Sequence, residues 1–414
     1  MKILMLGWEM VPHYTGGMGV ACYYLCKHLA IRGFEIDFMV PYKAEHPGTE
    51  FMNVIPALPY TSDELHTYFN GAYDSNHFFS NEKITGSGLI DGKPRNLTEQ
   101  RDQYIAGVRS HARDYRDYDA IHAHDWLAFE AGVAAREELH VPLILHVHAT
   151  EFDRSGELFG NPLVHEIEEF CLSVADHVIA VSQATKDLIV REYGIDPEKV
   201  SVVYNAIDHA DYAAVETSTS YPYLQHMKSQ GYTVVSIITR LTIQKGLTYL
   251  LRGLQLAVQK NPKILLLLCG TGEQYRELIT LSADLGIANN VLFTGGFVTG
   301  KARQDGFVIG DVFIMSSVSE PFGVSALEAV GFGSTVVLTR QSGVSEVLHN
   351  VLKYDYWDIE RLADQLVSLA DNHVLRDELR ANSRLEFERI SWHDVAEKCH
   401  SVYDKMIPMK AATV

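Results

Sequence analysis

The chain has 414 residues, 47% hydrophobic and 21% charged, the balance of a globular protein long enough for two domains. Its 53 acidic against 35 basic side chains give a formal charge of −18, which argues against nucleic acid or an anionic membrane surface as the main partner. Cys22, Cys26, Cys171, Cys269 and Cys399 are an odd, scattered set inside apolar patterns and read as reduced core residues of a cytoplasmic protein.

From Met1 to Gly7 the apolar run is too short for a signal peptide, and no later stretch reaches membrane-spanning length. Short β-like runs then alternate with helical patterns. Strands are expected at Ile3–Leu6, Glu35–Val40, Ala120–His124, Leu143–His148, His177–Val181 and Ser201–Val203. Helices are expected at Met18–Ile31, Trp126–Glu138, Leu163–Ser173 and Ala184–Tyr193. That alternation predicts a parallel sheet covered on both faces. Residues 42–100 depart from it, and such a long irregular stretch usually marks a functional loop system. Its Tyr60, Tyr68, Phe69, Tyr73, Phe78 and Phe79 suit stacking on sugar rings or ordinary loop packing equally well.

Residues 211–231 lose apolar periodicity and read as a linker. The alternation restarts with strands at Val234–Ile238, Ile264–Cys269, Val291–Phe293, Val312–Met315 and Thr335–Leu338. The tail from Trp392 to Met406 is amphipathic at helical spacing. The expected fold is therefore α/β: two Rossmann-like domains, 1–210 and 232–391, facing across a cleft that would hold substrate.

Several motifs carry chemistry. Gly16-Gly17-Met18-Gly19 lies between the first strand and the first helix, where glycines let backbone approach a phosphate. Asp37 falls where a dinucleotide-binding protein keeps its ribose acid, but the full glycine fingerprint is absent and the turn is too long. Asp117-Tyr118-Asp119 matches a metal-binding D-x-D pattern, yet it precedes a strand and reads as its polar start. His122 with His124, and His146 with His148, form two H-x-H pairs, each pointing to one sheet face. Strand-end histidines for substrate hydrogen bonding are favoured over a zinc site, and His122 and His146 also suit satisfied core positions.

Arg240 and Lys245 place two cations on a loop at the carboxyl end of a strand, fitted to neutralise a diphosphate leaving group. Glu320-Pro321-Phe322-Gly323-Val324 follows another strand, turns sharply and opens a helix that runs past Glu328. Two carboxylates flanking a helix N-terminus suit an elongated ligand with an anionic middle, such as a nucleotide sugar. Were that segment wholly helical, its eight residues would rise about 12 Å and return to a similar face.

In this order, Gly16-Gly17-Met18-Gly19, Arg240 with Lys245, and Glu320 with Glu328 resemble a retaining glycosyltransferase of the GT-B fold. More narrowly the chain resembles family 4 and its glycogen/starch-synthase-like members. Supporting pieces are His122-Ala123-His124-Asp125-Trp126, His146-Val147-His148, Asn205-Ala206-Ile207-Asp208 and Gly343-Val344-Ser345-Glu346-Val347-Leu348. The resemblance implies that Arg240 and Lys245 hold the diphosphate, Glu328 the ribose and Glu320 the donor sugar. Gly16, Gly17 and the amides of Gly323 and Val324 would complete the cradle. His148 would contact the sugar near its 6-hydroxyl, with Asp125 and His124 in the sugar or acceptor pocket. A helix over 392–414 would return to the first domain. The implied reaction moves glucose from ADP- or UDP-glucose to an α-1,4-glucan, without a metal cofactor. A lipid, small-sugar or sugar-phosphate acceptor, and a non-catalytic sugar-nucleotide-binding role, stand as the alternatives.

Overall fold

A computed structural model describes residues 1–14, 16–61, 96–156, 160–212, 218–296 and 298–407. The chain divides into two compact units, Met1–Ala206 with Trp392–Val414, and Ile207–Ser391.

The first unit runs β1 (Lys2–Leu6), α1 (Gly17–Ile31), β2 (Glu35–Val40), β3 (Asn53–Pro56), α2 (Leu97–Asp114), β4 (Ala120–His124) and α3 (Trp126–Leu139). It continues with β5 (Leu143–Val147), α4 (Glu151–Arg154), α5 (Pro162–Val174), β6 (His177–Ala180), α6 (Gln183–Tyr193) and β7 (Val200–Val202). The second unit runs α7 (Pro222–Ser229), β8 (Thr233–Ile238), α8 (Leu247–Lys260), β9 (Ile264–Cys269), α9 (Tyr275–Asp284), β10 (Val291–Phe293) and α10 (Gly300–Ile309). It ends with β11 (Val312–Met315), α11 (Val324–Gly331), β12 (Thr335–Thr339), β13 (Leu352–Tyr354), α12 (Ile359–Asp371) and α13 (His373–Phe387). Helix α14 (Trp392–Met406) closes the chain and belongs to the first unit.

Each unit is a parallel sheet. The first has seven strands in the order β3-β2-β1-β4-β5-β6-β7, the second six in the order β10-β9-β8-β11-β12-β13. Continuous apolar strands require this, because both sheet faces are covered: every residue of Ile264–Cys269 is buried. Helix α8 shows the complementary pattern. Leu247, Leu250, Leu251, Leu254 and Ala257 repeat at helical spacing, and the buried stripe packs with Leu362, Leu366 and Leu369 of α12. Gly253 allows the close approach, since a Cβ there would lie 2.6 Å from Leu362.

In both sheets strand order reverses at one place, between β1 and β4 in the first and between β8 and β11 in the second. At such a reversal the connecting helices leave on opposite faces and the strand ends open a crevice. The loops carrying the sequence-derived candidate residues sit at these two places.

Some expectations need revision. The Leu97–Asp114 helix and strands β3 and β13 are additional elements. Residues 211–231, read as a linker, contain α7 and dock on the second unit: Asp305 accepts the amides of Thr219 and Ser220, and Tyr221 Oη donates to the Ala302 carbonyl. Leu224 is the sole buried residue of α7, so the segment has no apolar period to read. The Glu320–Glu328 segment is helical only from Val324, and β5 ends at Val147, leaving His148 on the loop beyond it. The aromatic cluster from Tyr68 to Phe79 lies outside the described residues.

Candidate active site

The second unit assembles its candidate residues at the carboxyl ends of β8, β9, β11 and β12. After β8 the chain makes a 3-10 turn at Ile243–Lys245, then Gly246 adopts φ +60 and starts α8. That turn lies against the loop after β11: Ser316 Oγ donates to the Lys245 carbonyl at 2.7 Å, and the Val318 amide to the Gln244 carbonyl at 2.8 Å. A Cβ on Gly246 would meet the Ser316 carbonyl oxygen at 2.2 Å, so only glycine permits this approach. The outcome is an ion pair, Lys245 Nζ to Glu320 Oε2 at 2.7 Å, with Ser317 Oγ donating to the same oxygen at 2.8 Å. Arg240, on the same loop, is exposed.

Glu320 is fixed through its backbone as well. Its amide donates to the Gln341 carbonyl and its carbonyl accepts from the Gly343 amide, which ties it to the loop after β12. The chain then turns through Gly323 at φ +101, and α11 begins at Val324 with no side-chain cap on its first amides. Glu328, one turn into α11, pairs with Arg303 Nη2 of α10 at 2.6 Å and accepts from Tyr212 Oη at 3.4 Å.

Two features went unread in the sequence. Arg303 sits in a helix whose buried face gives no hint of a site, and no motif marks it. Gly270-Thr271-Gly272 after β9 is the second. A Cβ at Gly270 would lie 1.8 Å from the Thr239 carbonyl, and one at Gly272 2.4 Å from the Leu241 carbonyl. The Leu241 amide donates to Thr271 O, so this glycine pair packs directly under the Arg240 loop. Glycines two apart after an apolar strand were the available signal.

The first unit gathers the remaining candidates at its own strand reversal. Gly16 is the N-cap of α1 and Gly17 its first residue, and a Cβ at either would meet nothing within 4 Å. The helix start is thus open space bordered by backbone amides, which suits an anionic group. Asp125 follows β4 with φ 58 and ψ 168, a strained backbone for a residue with a side chain. Its buried Oδ1 accepts the His148 amide at 2.6 Å and the Ala149 amide at 3.3 Å, and burial pushes its carboxyl up to about 6.

The four histidines form one stack. His122 meets Tyr403 Oη of α14 at 2.6 Å through Nδ1 and His146 Nδ1 at 3.2 Å through Nε2, while His124 Nδ1 meets His148 Nε2 at 3.0 Å. Burial holds all four well below the usual histidine range, His148 at about 4, so the rings are neutral near pH 7. His122, His124 and His146 bring ring nitrogens within 4.8 Å of one another, and the Cys22 Sγ lies as close to ring nitrogens of His124 and His148. The H-x-H periodicity therefore placed the pairs on one face. Asp37 serves packing: it accepts from Tyr118 Oη and Asn53 and pairs with Lys2 at 3.3 Å. Asp119 accepts the Lys2 amide at the start of β4, and all five cysteines are buried and free.

The "Glycosyltransferase Family 4" model matches residues 15–211 and the "Glycosyl transferases group 1" model residues 225–386. The chain is 30% identical over 308 residues to the alpha-maltose-1-phosphate synthase of Mycolicibacterium smegmatis, covering 69% of this chain and 79% of that protein. It is 26% identical to the glycogen synthase of Mycobacterium tuberculosis over 97% of this chain and 94% of that protein. Sucrose-phosphate synthase from Thermosynechococcus elongatus superimposes with a TM-score of 0.74 at 17% identity, covering 98% of each chain. HepE of Anabaena, solved with UDP-glucose, gives 0.70 at 20% identity, covering 98% of this chain and 99% of that one. No helix among the described residues is long and apolar enough to cross a membrane.

Proposed function

The chain belongs to the family 4 glycosyltransferases and has their GT-B fold, and from that premise we propose that it moves glucose from a nucleoside-diphosphate glucose to an α-1,4-glucan. The observation that carries this reading is the Lys245–Glu320 pair beside the uncapped start of α11, at the strand reversal of the second unit. A cation, a carboxylate and free amides at one strand edge suit a sugar diphosphate. Lys245 and Arg240 neutralise the diphosphate as it leaves, and the α11 amides receive its oxygens. Glu320 accepts hydrogen bonds from donor-sugar hydroxyls, and Glu328, steadied by Arg303, accepts those of the ribose.

In the first unit, His148, Asp125 and His124 suit hydrogen bonds to a sugar or acceptor, and the Gly16 and Gly17 amides suit an anionic group. With no carboxylate among the described residues marked out as a nucleophile, the departing phosphate takes the acceptor proton on the same face, with retention. Two cations at the leaving group remove the need for a metal. UDP-glucose is one donor candidate, supported by the Anabaena structure solved with it, and ADP-glucose the other. The Mycobacterium tuberculosis relative's name supports the glucan acceptor, and the Mycolicibacterium smegmatis relative favours a sugar phosphate as second reading.

The protein is incubated with UDP- or ADP-glucose plus glycogen, maltose or glucose 1-phosphate, and the products are identified. Glycogen extended by α-1,4-linked glucose, faster than any other acceptor, is the expected result. Faster consumption of glucose 1-phosphate would overturn the glucan assignment. Absence of transfer from either donor would sink the glucosyl reading itself.

A further inference from the structure

The His124–His148 end of the histidine stack is asymmetric. His124 is fully buried, its Nδ1 faces His148 Nε2 at 3.0 Å, and its Nε2 is buried with no hydrogen-bond partner. No other stack member relieves it: His122 spends both ring nitrogens on Tyr403 and His146, and His146 Nε2 is itself buried without a partner. His148 is half-buried, and among the described residues its Nδ1 has no hydrogen-bond partner. Between two neutral rings one nitrogen carries the shared proton and the other accepts it.

The two arrangements differ in what they strand in the core. If His148 Nε2 donated, the proton of His124 would sit on its Nε2, a buried N–H without an acceptor. That leaves the full desolvation penalty of an unsatisfied donor. If His124 Nδ1 donates instead, the stranded atom is a bare lone pair, the less costly of the two orphans. Then His148 Nε2 accepts, and its own proton resides on Nδ1, the nitrogen left for a ligand.

We propose that His124 is a positioning residue that holds His148 as the Nδ1–H tautomer, so that His148 presents a hydrogen-bond donor rather than an acceptor to substrate. The backbone of His148 is set independently by Asp125, which accepts its amide at 2.6 Å. Ring orientation is set by stacking, His148 on His146 with centroids 4.4 Å apart and 15° between planes. A ring so fixed donates to an oxygen of the sugar, where a freely flipping ring would spend part of its time offering a lone pair. The proposal rests on the reading that His148 contacts the donor sugar.

The test starts with the unaltered protein labelled with nitrogen-15 in histidine. At neutral pH, His148 should show a protonated Nδ1 and an unprotonated Nε2, with the same Nδ1–H pattern for His124. A protonated Nε2 on His148 overturns the proposal. His124→Phe, which keeps a ring but no donor, should lower kcat on the order of tenfold while nucleoside-diphosphate affinity is unchanged. His124→Asn, whose amide nitrogen can take the place of Nδ1, should recover much of that loss. A His124→Phe variant with normal kcat, or an equal loss in both variants, refutes the positioning role. The labelling result stands even where a variant fails to fold. A His148→Ala variant with normal kcat would remove the sugar-contact reading alone and leave the tautomer assignment to the spectrum.

Discussion

Gly246→Ala tests whether the approach of two loops, rather than the presence of their side chains, builds the candidate site. Gly246 has φ +60, and a side chain there costs about 1–2 kcal/mol before any contact is counted. The added Cβ would also sit 2.2 Å from the Ser316 carbonyl oxygen, where real contacts stay beyond 3.0 Å, so the loops must part by most of an ångström. Parting them stretches the Ser316–Lys245 and Val318–Gln244 hydrogen bonds, each contributing about 0.5–1.5 kcal/mol. The sum is roughly 2–5 kcal/mol on the second unit. Lys245 and Glu320 lie on the parted loops, and a 1 Å misplacement of that kind costs about 100-fold in turnover. Gly286→Ala is the control: φ is +72 but a Cβ there meets nothing, so only the backbone term of about 1–2 kcal/mol applies and turnover stays normal. Urea unfolding and glucose transfer measured side by side decide the matter. If Gly246→Ala turns over normally and unfolds like Gly286→Ala, loop contact does not set the site.

Lys245→Ala should lower kcat more than it raises KM, since leaving-group charge grows in the transition state; a change in KM alone would assign the lysine to binding. Glu328→Gln should chiefly weaken nucleotide affinity, read by titration with the nucleoside diphosphate, because the side chain keeps its shape but loses its charge toward Arg303 and the ribose. Activity should survive excess chelator, and its loss with recovery on adding Mg²⁺ would refute the metal-free mechanism. Acid should destabilise the first unit. Its stacked histidines are depressed in the folded state, so their stability contribution is present above about pH 6.5 and lost as pH falls, by about 1.4 kcal/mol per pH unit for each. Asp125 and Glu168 are raised, to about 6 and about 7, so their contribution runs the other way and is lost as pH rises. The histidines outnumber them, and urea midpoints that do not fall between pH 7 and pH 5 would contradict the neutral stack.

What the sequence made legible follows from what makes a pattern. Strands such as Ile264–Cys269 are buried on both faces and read as unbroken apolar runs. Helix α2 was hidden because Gln100 and Arg101 occupy its buried face, Arg101 pairing with Glu130 at 3.2 Å, so the apolar period is broken where it should be clearest. Strands β3 and β13 are short edge strands with few fully buried residues. Within the candidate site, Lys245, Glu320 and Glu328 were picked out from spacing and turn chemistry. Their partners were not, since Arg303 and Tyr212 reach Glu328 from elements 25 and 116 residues away, and no local pattern encodes such a meeting. The histidines were legible as pairs by alternation, but Tyr403, 281 residues from His122, was not.

On the proposed reading, the Lys245–Glu320 pair also makes the donor diphosphate compete with the sugar-binding carboxylate for one cation. Before any ligand arrives, the lysine is neutralised by Glu320 at 2.7 Å, with side chains only 13% and 16% exposed. An incoming diphosphate must share that ammonium with a carboxylate, which weakens its grip on the nucleotide. On the proposed reading the same carboxylate holds the sugar, so the site would give up product affinity for donor positioning. Glu320→Gln separates the two effects. The amide keeps size and one acceptor but carries no charge, leaving the lysine to the phosphates. At an effective dielectric near 20, a unit charge a few ångströms away is worth a few kcal/mol gross, and solvent and rearrangement leave about 1 kcal/mol. Nucleoside diphosphate should therefore bind about fivefold tighter to the variant, while glucose transfer falls by on the order of 100-fold. Calorimetric titration and a transfer assay on one preparation give both numbers. Weaker nucleotide binding together with lost transfer would mean that Glu320 organises the lysine rather than competing for it.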